Sequence, residues 1–214
     1  MTEIPIDATA ASAELERRAR ALKAAHGGRY LPIPQGSDMW VFGYGSLMWN
    51  PEFDYLDCVP ALLFGWHRTF CVYSHRYRGT PERPGLVLGL DAGGSCRGMA
   101  YRVAAENVDS TLDYLWEREM VTGVYRPSML SLRLGAGRDG GRIRAVGFVV
   151  DRHHPQYAGG LDMEAATDII CTGHGLRGPN ADYLFNTVDH LDVLGIADTP
   201  LHLMARRVAE RIGR

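Results

Sequence analysis

Lysine is almost missing from this 214-residue chain: Lys23 stands alone among 23 basic residues. Arginine carries the rest of the positive charge, and 25 acidic residues leave a formal net charge of -2. That balance gives no basic footprint for nucleic acid and no charged face for a membrane surface. Cysteine is sparse as well. Cys58, Cys71, Cys96 and Cys171 form no C-x-x-C pair and no zinc spacing. Free, mostly buried thiols in a reducing cytosol are the expectation, and with them a cytoplasmic location. No apolar h-region follows a basic stretch at the N-terminus, so no signal peptide is expected. No apolar run approaches the roughly 20 residues needed to span a bilayer. What remains is 46% hydrophobic and 22% charged, the composition of one globular domain with a real core.

Residues 1–38 read as an appendage. A helix over Ala11–Ala25 places Leu15, Ala19, Leu22 and Ala25 on one face, and Gly27-Gly28 stops it. Leu31–Gly36, with two prolines, is an extended linker. Residues 39–214 form the main domain. Met39–Tyr44 is a β-branched and aromatic strand. Further strands are predicted at Ala61–Phe64, Thr69–Tyr73, Leu86–Leu90 and Gly98–Val103. Two more, Ser128–Leu134 and Ile143–Val150, are joined by a turn around Gly140-Gly141. Helices follow at Leu161–Cys171, at Ala181–Leu194 capped by Asn180, and to about Ile212 from an expected Thr199 N-cap with Pro200 at the first helical position. Strands in the middle and helices at the end make the class α+β, with a small closed or nearly closed barrel among helices.

One helix carries a residue of the wrong kind. Wound at about 100° per residue, Val108–Met120 gathers Val108, Leu112 and Leu115 into an apolar stripe. Glu119 falls within that stripe, whereas Glu117 falls on the opposite side. Burial and the nearby helix C-terminus both raise a carboxyl's pKa, as a general acid/base at neutral pH requires. A frayed helix end, or an ion pair with Arg118 or Arg126, would also account for the position.

Gly43-Tyr44-Gly45-Ser46-Leu47 leaves the first strand as a turn whose glycines let amides converge on one point. It reads either as an anion or oxyanion nest or as a simple tight turn. It lacks the P-loop lysine, and Met48 stands where a nucleophile elbow needs glycine, so Ser46 is not read as a nucleophile. Arg76, Arg78 and Arg83 sit in an irregular loop, as a solvated surface or an anion clamp. Tyr183 begins a helix beside the Leu184/Val188/Leu191 stripe, as packing or as a substrate contact. Asp151, His153 and His154 lack a third metal ligand at a useful spacing.

VFGYGSLMW (Val41–Trp49), RGTPERPG (Arg78–Gly85), RGMAYR (Arg97–Arg102), LWERE (Leu115–Glu119) and NADYLF (Asn180–Phe185) occur in this order. With them the chain resembles the ChaC-like glutathione-specific γ-glutamylcyclotransferases over about Met39–Arg211. The segment after Glu119, Met-Val-Thr-Gly-Val-Tyr, is similar to the family's bacterial branch. The resemblance implies a γ-glutamylcyclotransferase-like fold, a small mixed β-barrel surrounded by helices. It implies cleavage of glutathione to 5-oxoproline and Cys-Gly, with no metal or organic cofactor. It implies Glu119 as catalytic acid/base. It implies substrate binding by Val41, Phe42, Gly43, Tyr44, Gly45, Ser46 and Leu47, and matches Arg78 and Tyr183 to family residues near the substrate. Two other readings remain at this point: a cyclotransferase for other γ-glutamyl amino acids or amines, and a non-catalytic γ-glutamyl-binding module.

Overall fold

A computed structural model of the chain describes residues 8–135 and 141–214, with side chains from Ala13 onward. Five strands close a barrel in the order β1-β3-β2-β4-β5. They are β1 (Met39–Gly43), β2 (Asp57–Ser74), β3 (Gly85–Val103), β4 (Tyr125–Leu134) and β5 (Arg142–Val150). Neighbours run antiparallel except β1 and β5, whose parallel pairing closes the ring. Helices surround it: α1 (Ala8–Ala25), α2 (Val108–Glu119), α3 (Met163–Thr172), α4 (Asn180–Val193) and α5 (Thr199–Ile212). A two-residue pair, β6 (His174–Gly175) and β7 (Gly178–Pro179), links α3 to α4. The α+β class and the closed barrel agree with the sequence reading.

Four of the expected strands are two. Ala61–Phe64 and Thr69–Tyr73 belong to β2, and Leu86–Leu90 and Gly98–Val103 to β3. The glycines that read as breaks form a paired bend. Gly65, at φ 81°, makes a bulge between Phe64 and Trp66, opposite Gly93 and Gly94 at φ 109° and 68°. A bulge bends the strand while the ladder continues on either side. The expected turn at Gly140-Gly141 lies partly outside the described residues, since Gly140 is not described.

Val41, Phe42, Leu63, Leu86, Leu90, Tyr101 and Leu132 are fully buried in the barrel. Its strands approach closely at Gly98, where a Cβ would lie 2.2 Å from the Gly43 carbonyl oxygen. The α2 stripe of Val108, Leu112 and Leu115 packs inward as its period demands. On the other face of α2, Lys23 pairs with Asp113 at 3.1 Å, Arg29 with Asp109 at 2.6 Å, and Tyr30 stacks on Trp116 at 4.1 Å. Residues 109, 113 and 116 share one helical face, so the N-terminal segment lies along it. Tyr30, Leu31 and Ile33 join the same buried cluster as the barrel residues.

Two expected caps are corrected. Asn180 is fully buried inside the first turn of α4, and its amide clamps β3: Oδ1 accepts from Leu86 N at 2.6 Å and Nδ2 donates to Leu86 O at 2.7 Å. Asp198 rather than Thr199 caps α5, accepting from Leu201 N at 3.3 Å. A carboxylate at that position also meets a buried arginine, which a threonine could not pair.

Candidate active site

Glu119 is the last residue of α2, on the inward side with Leu115 and Leu112. Its side chain is 17% exposed. Burial pushes its carboxyl above the ordinary glutamate value of 4.5, and the Arg118 guanidinium, with Nε 3.3 Å from Oε1, pulls part of the way back. The ion pair with Arg118 is therefore real, yet the proton is still held more tightly than in water. Of the alternatives the sequence offered, the ion pair with Arg118 is present, and α2 runs regularly to Glu119.

Arg118 reaches beyond Glu119. Nη2 donates to Ser46 Oγ at 3.0 Å, and Nη1 to the Asn50 carbonyl at 2.8 Å and the Tyr114 hydroxyl at 2.6 Å. A guanidinium can bridge this way because its donors are fixed in a planar fork. The glycine turn and the carboxyl-bearing helix end are thus tied together. Ser46 is held by that contact, and among the described residues its hydroxyl has no carboxylate or imidazole hydrogen-bond partner.

Along the turn the sequence-derived residues divide. Val41 and Phe42 are fully buried in β1, and with Gly43 they pair with Tyr101, Ala100 and Met99 of β3. They carry the turn rather than form it. Tyr44 and Gly45 are buried too, but lie beyond the ladder. Among the described residues, no protein group accepts a hydrogen bond from either amide. Both amides are thus donors that a group lying against the turn could meet. Gly43 sits in a tight space: a Cβ there would lie 3.2 Å from the Leu47 carbonyl carbon, the Leu47 Cβ and the Met48 nitrogen, so the turn would have to give by a few tenths of an ångström. Leu47 is buried beneath the turn.

Three phenols gather around the carboxyl. Burial first, then the charge of Glu119 and neighbouring tyrosines, push the hydroxyls of Tyr44 and Tyr125 well up. Tyr183 is pushed up to about 12, mainly by burial. All three are neutral donors at physiological pH. Tyr125 donates to Leu88 O at 2.6 Å, and Tyr183 packs edge-on against Phe70 at 5.7 Å. The Arg78 guanidinium lies 5.2 Å from the Tyr183 ring and donates to the carbonyls of Arg177 (2.6 Å) and Pro179 (3.1 Å). It therefore both braces β7 and borders the tyrosine.

Sequence reasoning named Arg118 only as an ion-pair partner of Glu119, and it missed Tyr125 and Arg68. Tyr125 opens β4 six residues after Glu119, too far for any helical pattern to connect them. Cys71, near the same cluster, is held as a thiol at about 12 by burial and is no nucleophile. His154 Nδ1 accepts from Gln156 N at 3.1 Å and His153 is exposed. Among the described residues no three His, Cys, Asp or Glu side chains group as a metal site. A separate cleft of about 650 Å3 runs along α4 and α5, and Glu119 and the three tyrosines do not line it.

The arrangement brings together a buried carboxyl of raised proton affinity, neutral hydroxyls and the backbone amides of the turn. The comparisons point the same way. The model of the ChaC-like protein family matches residues 39–211. The glutathione-specific γ-glutamylcyclotransferase of Escherichia coli (strain K12) is 38% identical over 187 residues, covering 87% of this chain and 78% of that one. The human glutathione-specific γ-glutamylcyclotransferase 1 is 33% identical over 169 residues, 78% of this chain and 76% of that one. A crystal structure of a yeast γ-glutamyl cyclotransferase specific to glutathione shares the fold. Its TM-score is 0.74 at 22% identity, over 81% of this chain and 96% of that chain. The chain belongs to the ChaC-like protein family.

Proposed function

We propose that this protein is a γ-glutamylcyclotransferase that closes the γ-glutamyl group of glutathione to 5-oxoproline and releases Cys-Gly. The observation that carries the reading is Glu119: a largely buried carboxyl with a raised proton affinity, tied through Arg118 to the glycine turn after β1. The names of the E. coli and human relatives support the substrate.

The substrate brings its own nucleophile. Its α-amine attacks its γ-carbonyl carbon, a five-membered lactam forms, and the bond to the cysteinyl nitrogen breaks. Holding the curled conformer supplies much of the rate, because intramolecular attack in a fixed geometry has a high effective molarity. In this reading the Tyr44 and Gly45 amides take the α-carboxylate, with Ser46 and Leu47 shaping the turn. Ionised Glu119 accepts one proton from the α-ammonium to free the amine and, once the ring has closed, the second that the lactam nitrogen sheds. It passes each in turn to the departing nitrogen, which leaves as the ammonium of Cys-Gly. The raised pKa of Glu119 brings the acid and base forms closer in energy near neutral pH. Tyr183 donates to the substrate, and Arg78 borders the pocket where the Cys-Gly end would leave. Neither a covalent enzyme intermediate nor a metal is needed to balance these steps. A glutathione substrate goes with a cytoplasmic setting. No described helix is long and apolar enough to cross a membrane.

The test is release of 5-oxoproline and Cys-Gly from reduced glutathione by the purified protein, followed by mass spectrometry. Cleavage of γ-glutamyl-alanine in its place would move the substrate assignment to shorter γ-glutamyl compounds.

A further inference from the structure

Arg68 stands in β2 on the face it shares with Phe70, and its side chain is 2% exposed. A buried guanidinium is tolerated only when its donors and its charge are met. Here Nη1 donates to Tyr44 O at 2.5 Å, and both Nη1 and Nη2 donate to Arg97 O at 3.2 Å. Nη1 also lies 3.8 Å from Met48 Sδ. Nε donates to Asp198 Oδ2 at 3.1 Å. Asp198, 15% exposed, caps α5 with its other oxygen. The pair thus connects the start of α5 to the turn after β1.

The contact with Tyr44 O fixes a direction. In a planar trans peptide the C=O and the following N–H point to opposite sides. With the Tyr44 carbonyl held against Arg68, the Gly45 N–H faces away from it, and no protein group among the described residues takes it. Glycine at 45 would otherwise let this peptide rotate freely. We propose that the Arg68–Asp198 pair is a positioning device that holds the Tyr44–Gly45 peptide with its N–H turned to the substrate's α-carboxylate. The inference rests on the reading of this turn as the γ-glutamyl cradle. A lysine at 68 would keep the charge but could not bridge Tyr44, Arg97 and Asp198 at once.

The test compares Arg68→Lys and Asp198→Asn with the wild type in steady-state turnover of glutathione, alongside thermal unfolding. Asparagine keeps an oxygen for the Leu201 amide, so Asp198→Asn remains the informative variant if Arg68→Lys does not fold. The expected result is a KM raised about tenfold in each folded variant, equivalent to about 1.4 kcal/mol, with kcat changed less than about threefold. The double variant should add little to either single one, since both act through one peptide. A purely structural pair would lower the unfolding temperature and leave the KM of the folded enzyme unchanged, and that result overturns the inference while glutathione turnover by the wild type stands. A wild type that neither cleaves nor binds glutathione overturns the cradle reading and this inference with it.

Discussion

Asn180→Ala isolates one buried amide whose worth follows from its contacts. The side chain is fully buried, and it gives Leu86 both an acceptor, at 2.6 Å from its N–H, and a donor, at 2.7 Å from its carbonyl. Leu86 is itself fully buried, so alanine at 180 leaves one N–H and one C=O facing an apolar gap. Each unsatisfied group costs about 1–3 kcal/mol, which gives about 2–6 kcal/mol in all. A domain of this size typically holds about 5–15 kcal/mol in total. At about 2–4 °C per kcal/mol, the unfolding temperature should fall by on the order of 10 °C. Urea unfolding followed by circular dichroism, with the slope compared between the two proteins, reads this directly. Asn180→Asp adds a control: ionised, it lacks the donor for Leu86 O, and protonated it regains one. Burial raises that aspartic acid's pKa, so its stability deficit should shrink as pH falls and grow as pH rises. An alanine variant within about 1 kcal/mol of the wild type would refute the reasoning. It would mean that water or a backbone shift satisfies Leu86.

Gly98→Ala should destabilise by about 1–3 kcal/mol or more, because its Cβ would sit 2.2 Å from Gly43 O and 2.8 Å from the Phe42 ring. Activity per folded molecule should fall as well, since the displaced strand carries the glycine turn; chemical unfolding and turnover measured together check both. Glu119→Gln should change the pH dependence of stability. The folded carboxyl holds its proton above 4.5, so the wild type loses stability as pH rises from that value towards the raised folded one. Below 4.5 this contribution is fully present. Glutamine does not titrate, so the wild-type stability minus that of the variant should decline from pH 4 to 7 in urea titrations. A rising difference would contradict the assignment of burial as the dominant cause.

The parts legible in the sequence were those governed by local periodicity. Glu119 was visible because a carboxylate interrupts the Val108/Leu112/Leu115 stripe, and those three residues are buried. Arg68 carries the same kind of signal at period two, an arginine on the inward face with Phe70, but it lies one residue before the expected strand Thr69–Tyr73, where it reads as a solvated strand end. The glycines at 65, 93 and 94 read as strand ends because a bulge and a loop share one local signature; only the pairing of β2 with β3 separates them. Asn180 looked like a cap for a similar reason. Its amide suits a helix start, but the partner that claims it lies 94 residues away in β3. Tyr125 follows Glu119 by six residues across a change from helix to strand, and its hydroxyl is held by Leu88 O of β3, a partner 37 residues away that no local pattern encodes.

The central claim is that Glu119 exchanges the proton that allows glutathione to close on itself. The direct test is single-enzyme turnover of reduced glutathione by the wild type and by Glu119→Gln, with 5-oxoproline and Cys-Gly quantified by mass spectrometry. Loss of a general acid/base should lower kcat by about 10²–10⁴-fold while the variant keeps the wild-type circular dichroism spectrum and still binds glutathione. A folded variant that releases 5-oxoproline at near wild-type rates would contradict the account.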